Sequence, residues 1–585
     1  MTTQNSTKSA AAGALYSFLL RILSFTLSQL TIRFVDPATL GKASIRLELI
    51  CSTTVLFLGR EGFRLALLRV ADDGGADYDD HKKHKCARAR LVNNVSWLSV
   101  PISLFLTSIA LTFHLNTYQV QGGGSGIENV DLDEIADYKM AGILYCLATA
   151  IEIFSEPCMI VCMRQIDIKT RAKAEAFASV GKALGCVLLL SFDQREYHTA
   201  SFGFAQCIYA IILSTVLYIE KWHCLEWPSI IRGDQSWGLW TMIRTNFDQS
   251  SIRLSALFSL QSIFKHMLTE GDRIVLTALV GAYDSGVYAM ASSYGGMASR
   301  LLFQPLEENG RLLFSNKHAF IIKAKEEKKD ITFLVDELFR TYCTLVKFVI
   351  YIGLIFAAFG YNYTSVLLRI LAGARWGSNP EATTTLSAFC IYIALMALNG
   401  MTEAFVFGVA ESGKEVGGLA LAHGLVGVMF YITAPQLVRG NQFGFSGTVG
   451  LVAANGLCMV LRSIYSLHFA RSYFQDCHSS IKEETADAKT SKRPKPSPEF
   501  LNNMMPRASI LFSFLFSFCL THQSRIAFVD VKDSSIISID TAFHLCVGIG
   551  CFVFTACLIY TQEKDFGRSL RAMISKKSET KSKAD

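Results

Sequence analysis

The chain has 585 residues, of which 51% are hydrophobic and only 18% are charged, and its mean hydropathy is +0.32. This composition is too apolar for a soluble protein of this length. The net charge of +7 is modest, and we expect no nucleic-acid partner. The sequence therefore predicts an all-α polytopic membrane protein.

Apolar runs of about 20 residues, the length that crosses a bilayer, recur along the chain. They predict about fourteen membrane spans. In chain order the spans are 11–35, 43–69, 91–115, 139–162, 174–192, 200–221, 252–282, 286–315, 337–360, 383–410, 415–437, 445–470, 507–529 and 540–561.

The loops that follow even-numbered spans are basic, whereas those that follow odd-numbered spans contain almost no Lys or Arg. Residues 82–90 and 323–329 are examples of the basic loops, and the acidic segment 122–137 follows the third span. Because positive loops stay on the cytoplasmic side, we expect both termini to be cytoplasmic.

The spans predict two six-helix lobes related by a pseudo-two-fold axis along the membrane normal, plus two C-terminal helices. Gly41 and Gly286, in two similar hairpins, are 245 residues apart, and Arg64 and Arg311 are 247 apart, which indicates an imperfect parallel repeat. The predicted segments are a lobe at 1–221, a connector at 222–251, a lobe at 252–470, a flexible linker at 471–506, two appended helices at 507–561 and a basic, disordered tail at 562–585.

No motif of an enzyme is present. The chain lacks a GxxxxGK[ST] loop, an HExxH helix and a nucleophile elbow. Its 16 cysteines lack the spacing of a metal site, and His81, His84 and Cys86 fall in a lysine-rich run that is typical of a solvated loop. We therefore expect no catalytic activity, no metal and no cofactor.

Charged side chains inside the spans are the candidate binding residues, because such groups usually face a polar cavity. Guanidinium groups suit phosphate or carboxylate, although each arginine alone is equally explained as a helix-end anchor. The arginines are Arg33, Arg46, Arg60, Arg64, Arg311 and Arg462. We expect Arg60 and Arg64 to bind an anionic headgroup, with Glu61 and Glu308 holding them in orientation.

Three further sets of polar residues interrupt the seventh, eighth and tenth spans. Gly271 would loosen the seventh span, where Glu270 and Arg273 are spaced to pair. Pro305 would kink the eighth, and the tenth places an amide and a carboxylate on one face, where helix–helix contact is the alternative role. Their candidate ligands are Glu270, Arg273, Gln304, Glu307, Glu308, Asn399 and Glu403.

Several runs resemble the Rft family of eukaryotic membrane proteins. They are IRFVDPATLG, TTVLFLGREGFRLAL, FKHMLTEGDRIVL, DSGVYAMASSYGGMASRLLFQPLEE and ALNGMTEAFVF. The resemblance covers most of 11–470, and the family belongs to the multidrug/oligosaccharidyl-lipid/polysaccharide exporter superfamily. Its polar positions correspond to Arg33, Arg60, Glu61, Arg64, Glu270, Gln304, Glu307, Glu308 and Arg462.

The resemblance implies a flippase-like protein of the endoplasmic reticulum membrane that moves dolichyl-diphosphate-linked oligosaccharide for N-glycosylation. Its partners would be this lipid, other membrane lipids and, in addition, enzymes of the same pathway. Two alternatives stay open: an accessory protein that does not transport, and an ion-coupled small-molecule exporter with Glu270 as the coupling carboxylate.

Overall fold

A computed structural model describes most of the chain. The described residues are 23, 26–69, 79–121, 132–165, 167–192, 198–229, 246–327, 329–410, 413–439, 447–486, 499–529 and 539–582. Every long regular element among them is helical. The chain divides into two compact units, 1–289 and 290–585.

The first unit contains helices that we number from the N-terminus. They are α1 (26–34), α2 (Thr54–Arg69), α3 (Asp79–Gln121), α4 (Leu132–Phe154), α5 (Glu156–Arg164), α6 (Ile168–Phe192), α7 (Thr199–Lys221), α8 (Gln249–Thr269) and α9 (Gly271–Leu279). A π-helix, Gly41–Thr53, leads directly into α2. In this unit α4 packs on α7, α6 on α7 and α2 on α8.

Helix α10 (Ala282–Ala298) crosses the division between the units and continues through a π-helical turn, Ser299–Phe303. The second unit holds α11 (Gln304–Glu326), α12 (Thr332–Ile355), α13 (Tyr361–Leu371), α14 (Pro380–Val409), α15 (Gly413–Arg439), α16 (Gly447–Ala486), α17 (Glu499–Met504), α18 (Ala508–Phe528), α19 (Ile539–Gln562) and α20 (Lys564–Ser582). A third π-helical turn, Phe356–Gly360, joins α12 to α13.

Local sequence explains several helix starts. Asp248 accepts a hydrogen bond from the Ser251 amide at 2.8 Å, and Asn379 accepts from two amides of α14. Pro380 follows Asn379 at the first helical position, where its missing N–H costs nothing. The break expected at Gly271 is present, since α8 ends at Thr269 and α9 begins at Gly271.

Nine helices among the described residues are long and apolar enough to cross a membrane, and α4 and α5, bent by 43° at their break, are so when taken together. Large apolar side chains of α19 such as Phe543 and Ile549 are more than half exposed, as expected for a lipid-facing surface. The fold is therefore that of a polytopic membrane protein. The first predicted span lies partly outside the described residues.

Two segments are more ordered than the sequence predicts. Helix α16 continues to Ala486 and α17 forms at Glu499–Met504, so part of the predicted linker is helical. Residues 487–498 of the linker are not among the described residues. The predicted disordered tail forms α20, whose Phe566 ring contacts Tyr351 at 5.4 Å between centroids. Composition alone misses this contact, which anchors the start of a basic helix.

Candidate functional site

Two pairs of charged side chains join α2 to the α4–α5 bend in the first unit. Arg60 Nη1 donates to Glu152 Oε1 at 2.7 Å. Arg64 donates from Nε and Nη2 to the two carboxylate oxygens of Glu156, at 2.5 and 2.7 Å. We call these four residues the first charge cluster.

The cluster is largely withdrawn from the surface. The side chains of Glu152 and Glu156 are 6% and 3% exposed, whereas Arg60 is 24% exposed. Two arginines meet two carboxylates, so the formal charges cancel. Arg64 donates to Glu156 from both Nε and Nη2, whereas Arg60 donates from Nη1 alone. The other N–H groups of Arg60 can therefore donate to a ligand.

The bend that positions these carboxylates comes from the sequence Ser155-Glu156-Pro157. Pro157 has no N–H to continue the helix, and the Ser155 hydroxyl donates to the Glu152 carbonyl at 2.7 Å. Glu152 and Glu156 therefore lie on either side of the break, and Arg60 Nη1 lies 4.0 Å from Glu156 in addition to its hydrogen bond with Glu152.

Sequence reasoning missed Glu152 and Glu156. The signal was available, because both are carboxylates within the predicted fourth span and one of them precedes a proline. The expectation that Glu61 and Glu308 orient the arginines is wrong. Glu61 accepts from Lys265 at 2.8 Å, and the exposed Glu308 accepts from Gln304 at 3.4 Å.

The candidate arginines at the start of the chain differ in their environment. Arg46 donates from Nη2 to the backbone oxygen of Val280 at 3.0 Å, between α9 and α10. Arg33 is exposed and forms no ion pair with any residue that the structure describes. The structure therefore gives Arg46 a helix-end contact and leaves Arg33 at the surface.

The polar groups of the seventh predicted span pair locally. Arg273 donates to Glu270 at 3.2 Å, as the spacing predicts. Arg273 also interacts electrostatically with Glu48 of the π-helix, which accepts from Lys182 at 3.0 Å. Glu270 is therefore an ion-paired carboxylate, which weakens its role as a coupling group.

A second charge cluster forms in the second unit from α14, α15 and α16. Arg462 donates from Nε and Nη2 to the two oxygens of Glu403, at 2.8 and 3.0 Å. His423 Nε2 lies 3.0 Å from the same carboxylate. Sequence reasoning found Glu403 and Arg462 but missed His423, whose position in an apolar run was its only signal.

Glu307 of α11 lies beside this second cluster. A Cβ added to Gly400 would lie 1.7 Å from Glu307 Oε1. The Glu307 carboxylate therefore packs against the backbone of α14 in space that is open only because residue 400 is glycine. The neighbouring Asn399 is 5% exposed, and its Oδ1 has no hydrogen-bond donor among the described residues. Four candidates from three separate spans, Glu307, Asn399, Glu403 and Arg462, are thus brought together.

Gln304, Glu308 and Arg311 are exposed on α11. The buried carboxylates of both clusters already bind cations. The groups left to bind a ligand are therefore Arg60 in the first unit and, in the second unit, Glu307 and the exposed residues of α11. Such groups can bind an anion at one place and a proton or cation at another. The described residues contain no group of three or more His, Cys, Asp or Glu that could hold a metal ion.

A family model described as "Rft protein" matches residues 5–573. A relative named "Man(5)GlcNAc(2)-PP-dolichol translocation protein RFT1" from Yarrowia lipolytica is 30% identical, over 80% of this chain and 70% of its own. A protein of the same name from Schizosaccharomyces pombe is 27% identical, over 90% and 91% of the two chains.

The solved structure of the lipid II flippase MurJ, in an inward closed conformation, is similar in fold, with a TM-score of 0.54. The alignment covers 94% of this chain and 99% of MurJ at 11% sequence identity. This likeness concerns the fold alone and agrees with a polytopic membrane protein. The family model that matches residues 5–573 shows that this chain is a member of the Rft protein family.

Proposed function

We propose that this protein moves dolichyl-diphosphate-linked oligosaccharide from the cytoplasmic to the luminal leaflet of the endoplasmic reticulum membrane, for N-glycosylation. The relatives carry the name of Man5GlcNAc2-PP-dolichol translocation proteins, and that name supports the substrate class. The supporting observation within the chain is the first charge cluster, where Arg60 keeps free donors beside a buried ion pair.

The proposed architecture has fourteen spans in two six-helix lobes and two appended helices, with both termini cytoplasmic. Arg60 would bind the diphosphate and Arg64 would fix the bend that places it, while the dolichol tail stays in lipid. The remaining substrate-contacting candidates are Arg33, Arg46, Glu61, Glu270, Arg273, Gln304, Glu307, Glu308, Arg311, Asn399, Glu403 and Arg462. The lobes would alternate access around an arginine-lined cavity, without an ATPase within the chain.

Transport is tested with purified protein in liposomes that contain fluorescent dolichyl-diphosphate oligosaccharide. A membrane-impermeant glycosidase added outside digests only the outer-leaflet lipid, so the plateau of digestion reports scrambling. We expect complete digestion with the wild-type protein and about half with Arg60→Gln, the level left when lipids do not cross. Wild-type protein that binds the lipid but leaves digestion at one half would establish the accessory role instead.

An ion-coupled exporter on the same fold is the second candidate. The observation that favours it is the pair of carboxylates Glu307 and Glu403 close to His423, since buried acids near a histidine can exchange protons. A dependence of liposome transport on an imposed proton gradient, abolished by Glu307→Gln, would support coupling. Transport that is equal with and without the gradient would exclude it.

A further inference from the structure

A cavity of about 960 Å³ lies in the second unit, and none of its lining residues belongs to either charge cluster. The first half of α12 forms one wall, and the segment from α17 to the start of α18 forms another. The junction of α19 with α20 closes it. Its basic lining residues are Arg340, Lys347, Arg507 and Arg568.

The charges of this cavity do not cancel. Lys347 pairs with the buried Glu563 at 3.2 Å, and Arg568 pairs with Asp565 at 2.7 Å. Arg340 and Arg507 have no side-chain partner among the residues that the structure describes. Two guanidinium groups on opposite walls are therefore free to bind an anion.

Two helices begin beside the cavity, and the Arg507 amide ahead of the first of them donates to Glu563 Oε1 at 3.4 Å. Helix α18 begins at Ala508, next to Arg507, and α20 begins at Lys564, next to the lining residue Asp565. The first amides of a helix have no intrahelical acceptor and carry a partial positive charge. They add hydrogen-bond donors to the two free arginines, which is the donor set that phosphate oxygens take.

The lining also has an apolar part. Phe339, Met505, Leu511 and Phe566 line the cavity, and Met505 and Leu511 are 52% and 37% exposed. Leu511 belongs to α18, one of the helices apolar enough to cross a membrane, so part of this apolar lining comes from a candidate membrane span. A phosphate group would contact the two arginines, and an adjoining acyl chain would contact the apolar lining.

We propose that this cavity binds a phosphate group, carried by an anionic phospholipid, through Arg340 and Arg507. The site shares no residue with the proposed substrate contacts and goes beyond the proposed function. A small soluble phosphate offers the same chemistry, so the experiment includes both sources. The volume accepts a headgroup, and the Lys347–Glu563 pair holds α12 against the α19–α20 junction behind it.

The full-length protein is purified in a neutral detergent, and binding of radiolabelled phosphatidic acid is measured by equilibrium filtration. Diacylglycerol, which lacks the phosphate, is the lipid control, and inorganic phosphate is the soluble competitor. The test variant is Arg340→Gln with Arg507→Gln. The matched control is Lys564→Gln with Arg571→Gln, which removes two exposed cations of α20 that do not line the cavity.

We expect saturable binding of phosphatidic acid, weakened at least about tenfold in the test variant because charge-assisted hydrogen bonds are lost, and unchanged in the control. A second variant, Ala508→Trp, fills the cavity mouth and should block binding while both arginines remain. Displacement by millimolar inorganic phosphate would assign the site to soluble phosphate. Equal binding by the wild type and both cavity variants would overturn the proposal.

Discussion

Gly41 and Gly286 lie in direct backbone contact within the first unit. A Cβ on Gly41 would be 2.7 Å from the Gly286 amide nitrogen and 1.9 Å from the Ala282 oxygen, and a Cβ on Gly286 would be 1.7 Å from the Pro37 oxygen. These are the two glycines that the internal repeat aligns. The two glycines therefore let the start of the π-helix and helix α10 cross so closely that only glycine fits at either position.

Replacing either glycine by alanine should destabilise this crossing. The clashing atoms belong to the backbone, so no side-chain rotation relieves them, and we expect a loss of about 1–3 kcal/mol of unfolding free energy. Thermal unfolding of Gly41→Ala and Gly286→Ala in detergent measures the effect.

The matched control for the crossing is Gly281→Ala, because a Cβ there would meet nothing within 4 Å. We expect its unfolding temperature to match that of the wild type. If Gly286→Ala proves as stable as this control, the close contact does not exist in the folded protein.

The two arginines of the first charge cluster should respond differently to substitution. Arg64→Gln removes the two hydrogen bonds to the buried Glu156 and leaves it with Arg60 Nη1 at 4.0 Å; breaking comparable buried pairs costs about 3–5 kcal/mol. Arg60 is the more exposed and uses one nitrogen on Glu152, so Arg60→Lys should keep most of the stability and lose transport. Unfolding temperature and the liposome assay, measured on the same preparations, separate the two effects.

A charge exchange, Arg64→Glu with Glu156→Arg, is the control for the structural role of Arg64. It should recover part of the stability that Arg64→Gln loses, because the ion pair is restored in reverse. Should Arg64→Lys instead abolish transport at wild-type stability, Arg64 itself contacts the substrate, as the sequence alone leads us to expect.

Sequence patterns predicted most of the helices, the arginines of both charge clusters and the local pair of Glu270 with Arg273, but not Glu152, Glu156 or His423. Arg60 and Arg64 were identifiable because charge inside an apolar run is conspicuous. Their partners Glu152 and Glu156 come from a span 92 residues later, and only the bend at Pro157 shows which carboxylates face them. The phenylalanine contact that anchors α20 is likewise invisible to composition.

The Glu307 carboxylate can be displaced without disturbing the helices around it. Gly400→Ala would push Glu307 Oε1 away, and because that atom ends a flexible side chain the cost in stability should be small. We expect Gly400→Ala to reduce transport as Glu307→Gln does, at nearly unchanged unfolding temperature. Gly424→Ala is the control, since nothing lies within 4 Å of its Cβ. Full transport by Gly400→Ala would show that the position of Glu307 is irrelevant.

The sequon Asn362-Tyr363-Thr364 should not be glycosylated. Asn362 is 0% exposed, and its Nδ2 donates to Phe518 O at 3.2 Å and to Thr521 Oγ1 at 2.9 Å. These bonds join α13 to α18, so the side chain that an oligosaccharide would occupy is already used in packing. Treatment of the wild-type protein with an endoglycosidase should leave its gel mobility unchanged, and Asn362→Gln should lower the unfolding temperature.

A sequon placed in the acidic loop after the third predicted span supplies the positive control. Gly123→Asn creates the acceptor sequence N-G-S there, and positive-inside loops predict that this segment is luminal. We therefore expect a mobility shift that the endoglycosidase removes, in the variant and not in the wild type. A wild-type shift that Asn362→Gln abolishes would contradict the buried position of Asn362. Failure of the Gly123→Asn protein to be modified would contradict the proposed orientation, because transferase acts only on the luminal side.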